Sequence, residues 1–540
     1  MMTVHERGMK LTARTQSNDW ADDEFGEADF GDARPTQRLA VLARKISQAP
    51  HCSFPQALDA ATLKAAYRFF DNPKVDAKGV LEPHIGQTLE RIRQLPVVLV
   101  VVLVPQGTSE FNLTHLPATE GLGLGTGGNR HGFMIHSQLA VSPEGLPLGV
   151  LGMKTRVRPA EESGKRTKRK KLPIADKESV KWRAGHERLV ALEAHCKDTH
   201  IVGISDREGD IYDVFMAQRV EGVDWLVRAA WNRRVEHEEQ YLWQTVLGTP
   251  VLGETDLLVP ASANTRKPAR TARLALRCTK VRLQAPRHRI AEKLPSIEVF
   301  AIHALEIGAD DGIEPLEWLL LSSVPTHTCE QALERLAWYA RRWTIESWHR
   351  VLKSGCRVEA RQFGNYDRFV RATALFGVIS WRILYATLVG RLDGDLSCET
   401  LLQPLEWRAL YCRANGTAKP PDTPPTLAQV VLWIAQLGSY LNRKHATLQG
   451  PRPCGVDFLP CTSALRCIAS SGKTNELVFV GKPQALDRGG KRASLTGTTR
   501  SRPSSPKSDR NMPDAGGWKA TRWDAPRSLF QQTSEAVDPG

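Results

Sequence analysis

The sequence predicts an α/β (α+β) chain: a mixed sheet with helices packed on it, a helical module before it and long apolar helices after it. Three observations predict this. Val97–Val104, bounded by Pro96 and Pro105, is an uninterrupted apolar run of strand length and reads as a fully buried strand. From residue 90 the pattern gives three strands, then helix, strand, helix, strand, an order that places helices on a sheet of mixed direction. Residues 235–322 then read as mostly strand, ahead of a long helix at Glu330–Ser354.

Each element follows from its residues. Residues 1–32 are polar, with an acidic cluster of Asp22, Asp23, Glu24, Glu27, Asp29 and Asp32. Ala33–Ser47 is a basic amphipathic helix, with Arg34, Arg38, Arg44 and Lys45 among Leu39, Val41, Leu42 and Ile46. A second helix, Ala60–Phe70, carries Lys64 and Arg68 and stops before Asp71-Asn72-Pro73. These two short helices form an N-terminal module over 1–75, whose basic face is either a DNA contact or simply solvated. His131–Val141 and Leu148–Val157 read as antiparallel neighbours joined through Pro143, Gly145 and Pro147. Lys177–Lys197 is helical, His200–Ser205 a buried strand, Ile211–Arg219 a helix and Asp224–Ala230 a strand. Ala272–Gln284, Ser296–Ile307 and Leu316–Ser322 belong to a strand-rich insertion over 232–322 within a sheet domain spanning 76–370. Apolar helices at Arg368–Leu392 and Thr426–Arg443 occupy 371–449, separated by a Pro-rich loop at Lys419–Pro425. Residues 450–540, rich in Gly, Ser, Pro, Lys and Arg, read as disordered.

Composition bounds the function. The chain has 540 residues, more than one ordinary core. It carries 73 Lys and Arg against 59 Asp and Glu, a net +14, which points to an anionic partner, nucleic acid first. The tail after residue 449 supplies 14 of the basic and 8 of the acidic residues, so +8 remains without it. At 41% hydrophobic and 7% aromatic, wholesale disorder is excluded, as are collagen-like, coiled-coil and disulfide-stapled classes. The ten Cys are scattered from Cys52 to Cys467 with no CxxC pair, which fits free thiols in a reducing compartment. The N-terminus has no apolar leader and Val97–Val104 is too short to cross a bilayer, so a cytoplasmic protein with no membrane partner is expected.

Two groups of residues could carry chemistry. Tyr339, Arg342, Glu346 and Lys353 fit Y-x2-R-x3-E-x6-K, and at about 100° per residue they share one helical face within about 60°. A carboxylate flanked by Arg and Lys suits a phosphodiester site, the acid holding a hard cation and the bases the phosphate oxygens. A solvated i, i+4 charge ladder is the alternative. Trp338 and Trp343 beside Tyr339 argue against it. The second group is Asp206-Arg207-Glu208, after the buried strand, where ligands bind in such sheets; a capping Asp is the alternative.

With these residues placed, the chain resembles the Tn-five-type DDE transposases of the insertion-sequence-four family. The resemblance runs from Trp20 to His445. It is carried by Phe30-Gly31-Asp32 with Arg34 and Arg38, Ala66-Tyr67-Arg68-Phe69 with Asn72-Pro73, Gly132 to Ser137, Ser205 to Asp210, Glu317 to Leu321, and the Tyr339–Lys353 signature. It implies a ribonuclease-H-like core with a β-rich insertion. It also implies an N-terminal reader of transposon ends, through Arg34, Arg38 and Arg68, and C-terminal helices that form a homodimer. Asp206 and Glu346 take the places of the second and third acidic metal ligands. Tyr339, Arg342 and Lys353 take phosphate-positioning places, and Trp318 that of an aromatic stacked on a flipped base. The implied cofactor is Mg²⁺ in a two-metal site, with Mn²⁺ able to substitute, and the implied partners are double-stranded DNA at transposon-end inverted repeats and at the target. A bacterial, nucleoid-associated protein is implied with them.

The chain departs from that pattern at two places. The family's first Asp position holds Gly107, in Pro105-Gln106-Gly107-Thr108, and glycine has no ligand atom. Glu110 stands three residues on, with no reason to reach the same point. A folded, end-binding protein that cleaves poorly is therefore expected, with a non-catalytic end-binding protein or inhibitor of active copies as the alternative. After Leu441–His445, one set of codons that the genetic code allows for Pro453–Phe458 reads Leu-Trp-Arg-Gly-Phe when the frame moves back one nucleotide, so a frameshift between His445 and Pro453 is expected. Of two further motifs, Gly123–Gly128 fits G-x-G-x-x-G but precedes a strand, which disfavours a dinucleotide site. Lys165–Lys171 is a basic run suited to phosphate contact or to a solvated loop.

Overall fold

A computed structural model describes residues 19–95, 100–126, 129–159, 177–236, 241–259, 270–309 and 312–437. The first residues of the apolar run (97–99), the basic run Lys165–Lys171, the proposed frameshift and the tail lie outside the described residues.

The N-terminal region is richer in helix than expected. It holds α1 (Trp20–Phe25), α2 (Ala33–Ser47), α3 (Phe54–Ala57) and α4 (Ala60–Asp71), followed by α5 (Ala77–Arg93). Asp19, Asp32, Asp59 and Asp76 each accept a backbone N–H at the start of a helix, so part of the acidic composition here caps helices. The short α1 and α3 lack the length for a periodic signal, which is why the sequence reading passes over them.

The middle of the chain is one ten-stranded mixed sheet. Its strands are β1 (Val100–Asn112), β2 (Gly123–Leu124), β3 (His131–Val141), β4 (Pro147–Arg156), β5 (Thr199–Ser205), β6 (Val223–Arg228), β7 (Gly253–Val259), β8 (Arg270–Leu283), β9 (Ile297–Ile307) and β10 (Glu317–Ser322). The order is β2-β3-β1-β5-β6-β10-β9-β8-β7, with β4 also on β3. β1, β5 and β6 run parallel to one another, β3 and β10 flank them antiparallel, and β7–β10 extend the same sheet. The strand-rich insertion thus continues the sheet, and its β7 is a strand the sequence reading missed. The first strand does not stop at Pro105. It continues to Asn112, because Pro105 is paired with Ile204 on one side and Gln106 to Asn112 ladder against β3 on the other.

Two helices pack on the sheet's middle: α6 (Val180–Glu193) behind it and the four-residue α7 (Tyr212–Phe215), shorter than the Ile211–Arg219 expected. A further short helix, α8 (Leu242–Leu247), lies in the insertion. The expected single helix at 330–354 is broken into α9 (Cys329–Ala340) and α10 (Trp343–Arg350), followed by a π-turn at Val351–Gly355. The chain then runs through α11 (Tyr366–Leu392), α12 (Pro404–Asn415) and α13 (Leu427–Leu437). α11 is long and apolar enough to cross a membrane, against the expectation drawn from Val97–Val104, but 83% of its apolar window is buried inside the fold.

One core joins the N-terminal helices to the sheet region. Phe54 of α3 stacks on Phe70 of α4 at 5.6 Å and on Phe376 of α11 at 6.3 Å. Glu24 of α1 binds Arg91 of α5 at 2.6 Å and His84 Nδ1, while His84 Nε2 accepts the Val150 N–H of β4 at 2.9 Å.

Candidate functional site

Three parallel neighbours bring their residues to one edge. Pro105 of β1 pairs with Ile204 of β5, and Ser205 of β5 with Val227 of β6. Continuing that register sets Gly107 beside Asp206 and Asp206 beside Arg228, in one row across the sheet. Strand alternation turns Leu103, Val202, Ile204 and Leu226 into the core that also holds Trp338 and Tyr339 of α9. The same alternation points the row toward α9 and α10, at the carboxyl edge where such sheets bind ligands.

The break between α9 and α10 shapes the other half of the site. The N–H groups of Arg341 and Arg342 bond to the carbonyls of Trp338 and Tyr339, both at 3.0 Å, and Thr344 N–H to Arg341 at 3.0 Å. These i→i−3 bonds tighten the turn, whereas Cys356 N–H reaches back five residues to Val351 at 2.8 Å and widens it. The four signature residues therefore do not stand on one ideal stripe. Tyr339 is 6% exposed, and its hydroxyl accepts from Arg228 and Arg342. Burial raises its pKa; Arg342 and Arg228 pull it back and nearby Asp206 adds to the rise. Arg342 Nη1 donates to Glu346 Oε1 at 2.7 Å. Although burial disfavours its charge, Tyr339, Glu346 and Asp206 together raise the Arg342 pKa. Trp318 is half-buried and meets the Tyr339 ring edge-on at 6.0 Å. Trp318, Tyr339, Arg342 and Glu346 are thus linked, with Arg228 and Asp206 facing them. Lys353 stands apart from this group. Its ammonium donates to the Glu110 carbonyl at 2.6 Å and pairs with Glu359 at 3.3 Å.

A β-carbon at Gly107 would stand 3.2 Å from Ile345 Cγ2 and 3.4 Å from His349 Cε1, against the helix that carries Glu346. Glu110 does not reach toward Gly107, because its Oε2 accepts the Thr126 N–H at 3.0 Å and its side chain is turned to the loop before β3. Asp206 does what the capping alternative proposes: its Oδ1 accepts the Glu208 N–H at 2.8 Å, at the start of a single 3₁₀ turn. The residues present do not complete a divalent-cation site. Among the described residues no three His, Cys, Asp or Glu are grouped to hold a metal, and Glu346 is already bonded to Arg342. Below Gly107 lies a buried polar layer. His136 bonds to Thr108 at 3.0 Å and to Gln106 at 3.3 Å, and His349 lies 3.4 Å from the Ser137 hydroxyl. Burial first, then nearby cations, depress both imidazoles to about 3.

In the N-terminal module, two of the basic residues are paired with carboxylates of the module itself. Arg44 pairs with Asp19 and Asp22, and Lys45 with Asp59. Arg34 is exposed but bonded to Asp32, its helix cap, at 2.7 Å. Arg38 has no side-chain partner among the described residues, and Lys64, Tyr67 and Arg68 are exposed along α4. The glycine motif is no dinucleotide site: Gly123–Leu124 is a strand paired with His131 and Gly132.

The sequence reading missed Arg228 and the ion pair of Asp210 with Arg233 at 2.6 Å. A cation on the last residue of an apolar strand is the one signal for Arg228. Asp210 is indistinguishable in sequence from its acidic neighbours.

Among solved structures, the cryo-EM structure of a piggyBac transposase synaptic complex with hairpin DNA is similar over 79% of this chain and 68% of that one, with 10% identity and a TM-score of 0.30. Residues 17–75 match the transposase DNA-binding family model, which covers α1 to α4. At its N-terminal side the chain is therefore similar to transposase DNA-binding domains.

Proposed function

We propose that this chain is a DNA transposase that binds transposon-end DNA through residues 17–75 and whose strand-cutting core is impaired at Gly107. The observation that supports it is the match of 17–75 to transposase DNA-binding domains, in a chain whose sheet edge sets Asp206 before Glu346. In this reading Arg38, Lys64 and Arg68 meet duplex phosphates, and Tyr339, Arg342 and Arg228 position the phosphate to be cut. Trp318 presents an aromatic face to a displaced base. Cut-and-paste chemistry of the DDE type draws on three carboxylates, which would hold divalent cations to activate the attacking oxygen, and an Asp at 107 would add the third to Asp206 and Glu346. A homodimer pairing two ends belongs to the same proposal.

A second reading, a non-catalytic end-binding protein that inhibits active copies, is favoured by Gly107 itself. A mobility-shift assay on transposon-end duplexes, run beside nicking in Mg²⁺ or Mn²⁺ for the unmodified protein and Gly107→Asp, separates them. Binding with nicking only in Gly107→Asp supports the impaired transposase. Binding without nicking in either protein selects the second reading, and no binding sinks both.

A further inference from the structure

Just past β6 the chain leaves a large indole in solvent: Trp231 is 63% exposed. Its backbone is firmly held. The fully buried carboxylate of Asp210 accepts the N–H groups of Ala230 at 2.7 Å and Trp231 at 2.9 Å, and binds Arg233 Nε at 3.0 Å and Nη2 at 2.6 Å. Arg233 in turn lies over the rings of Tyr212 and Phe215. On the other side, Asn232 Oδ1 accepts the Trp243 N–H at 3.1 Å. Asp210 closes the 3₁₀ turn that Asp206 opens, so the same short turn carries Asp206 and anchors Trp231.

Two cations near this turn lack carboxylate partners. Arg207 is exposed and makes no ion pair among the described residues. Arg228 donates to the Glu317 carbonyl at 3.1 Å and to the Tyr339 hydroxyl, both uncharged acceptors. Large aromatic side chains are usually buried, because their area dominates the hydrophobic gain. An exposed indole on an anchored backbone, three residues from Arg228 and tied through Asp210 to the turn that carries Arg207, instead matches what holds single-stranded nucleic acid: a stacking face for a base and cations for its backbone. Trp318 is less free for this, since Tyr339 already packs against it.

We propose that Trp231 is a stacking platform for an unpaired DNA base beside the candidate site, with Arg207 and Arg228 holding the adjoining phosphates. This deepens the transposase reading and rests on it for the nature of the ligand. The test uses the full chain, fluorescence anisotropy, a labelled oligothymidylate and a blunt transposon-end duplex. Trp231→Ala should weaken oligothymidylate binding roughly ten-fold, Trp231→Phe should keep most of it, and blunt-duplex affinity should barely change. An oligothymidylate carrying one 5-iodouracil should photocrosslink to Trp231. The proposal is overturned by unchanged oligothymidylate binding in Trp231→Ala, by an equal loss on the blunt duplex, or by a crosslink that maps elsewhere. If the unmodified protein fails to bind the blunt duplex, the transposase reading falls, while the oligothymidylate comparison still decides the role of Trp231.

Discussion

Arg342 and Glu346 are joined at 2.7 Å, and the same guanidinium donates to the buried hydroxyl of Tyr339. One arginine therefore serves the acid and the phenol at once. Arg342→Ala strips a charged donor from a buried acceptor, a loss of roughly 1–3 kcal/mol. Urea unfolding should show it. Arg342→Lys should recover little, since a point ammonium cannot reach both partners in the geometry of a planar fork.

Gly107→Asp should raise transposon-end nicking in Mg²⁺ by roughly 10⁴-fold, the scale of restoring an essential member of a catalytic unit. It should also cost roughly 1–3 kcal/mol of stability, because its β-carbon crowds Ile345 at 3.2 Å. Adding Ile345→Ala, which removes the crowding Cγ2, should not lower the nicking rate. Nicking that stays flat in both variants counts against the assignment of this position.

Asp210 and Arg233 form a buried pair at the root of the Trp231 loop. Asp210→Ala removes the carboxylate from two backbone N–H groups and leaves the guanidinium only the residue 210 carbonyl, and should cost roughly 3–5 kcal/mol. A thermal melt in which Asp210→Ala matches the unmodified protein would remove the pair's structural role.

Acid should destabilise the fold in two windows. Burial holds His84 below its usual 6.5, outweighing Glu24, and depresses His136 and His349 to about 3. His84 stays uncharged beside Glu24, because its Nε2 accepts the Val150 N–H, which a protonated ring cannot do. For these imidazoles the unfolded chain binds more protons, so stability falls as pH drops from 6.5 toward 3. For Glu24, burial raises the pKa, but Arg91 and His84 overcome it and hold the group at about 2. Its contribution is present above the unfolded value of 4.5 and is lost as pH falls toward 2. Urea midpoints across pH should show both declines, and Glu24→Gln should flatten only the lower one.

Lys64 and Arg68 are exposed on α4, so replacing each with Ala should weaken duplex binding at every sequence and cut the salt slope by roughly 1 per residue. A slope unchanged in the double variant would move the duplex contact off α4. Arg44→Ala and Lys45→Ala should instead lower stability, since both side chains already bind carboxylates within the module.

Local pattern was enough for part of this molecule. β3 falls where its strand-forming residues and the following turn place it, and α11 where its apolar run lies. Tyr339, Arg342 and Glu346 were legible as one group, because their spacing is short and helical. Lys353 was placed with them on the assumption of a straight helix. The 3₁₀ turn before Trp343 and the π-turn after Arg350 break that assumption, and backbone bonds of that kind leave no mark in spacing. Arg44 and Lys45 looked like their basic neighbours until folding brought Asp19, Asp22 and Asp59 beside them.

By itself, then, the sequence determined the order and type of most elements and the residue types available for chemistry, since these depend on near neighbours in the chain. Only the tertiary structure decided that Gly107, Asp206 and Arg228 share a row, that Arg342 reaches both Glu346 and Tyr339, and that Trp231 stands in solvent on an anchored loop. Those relations depend on strand register and burial between segments far apart in sequence, which are settled when the sheet pairs and its faces are covered.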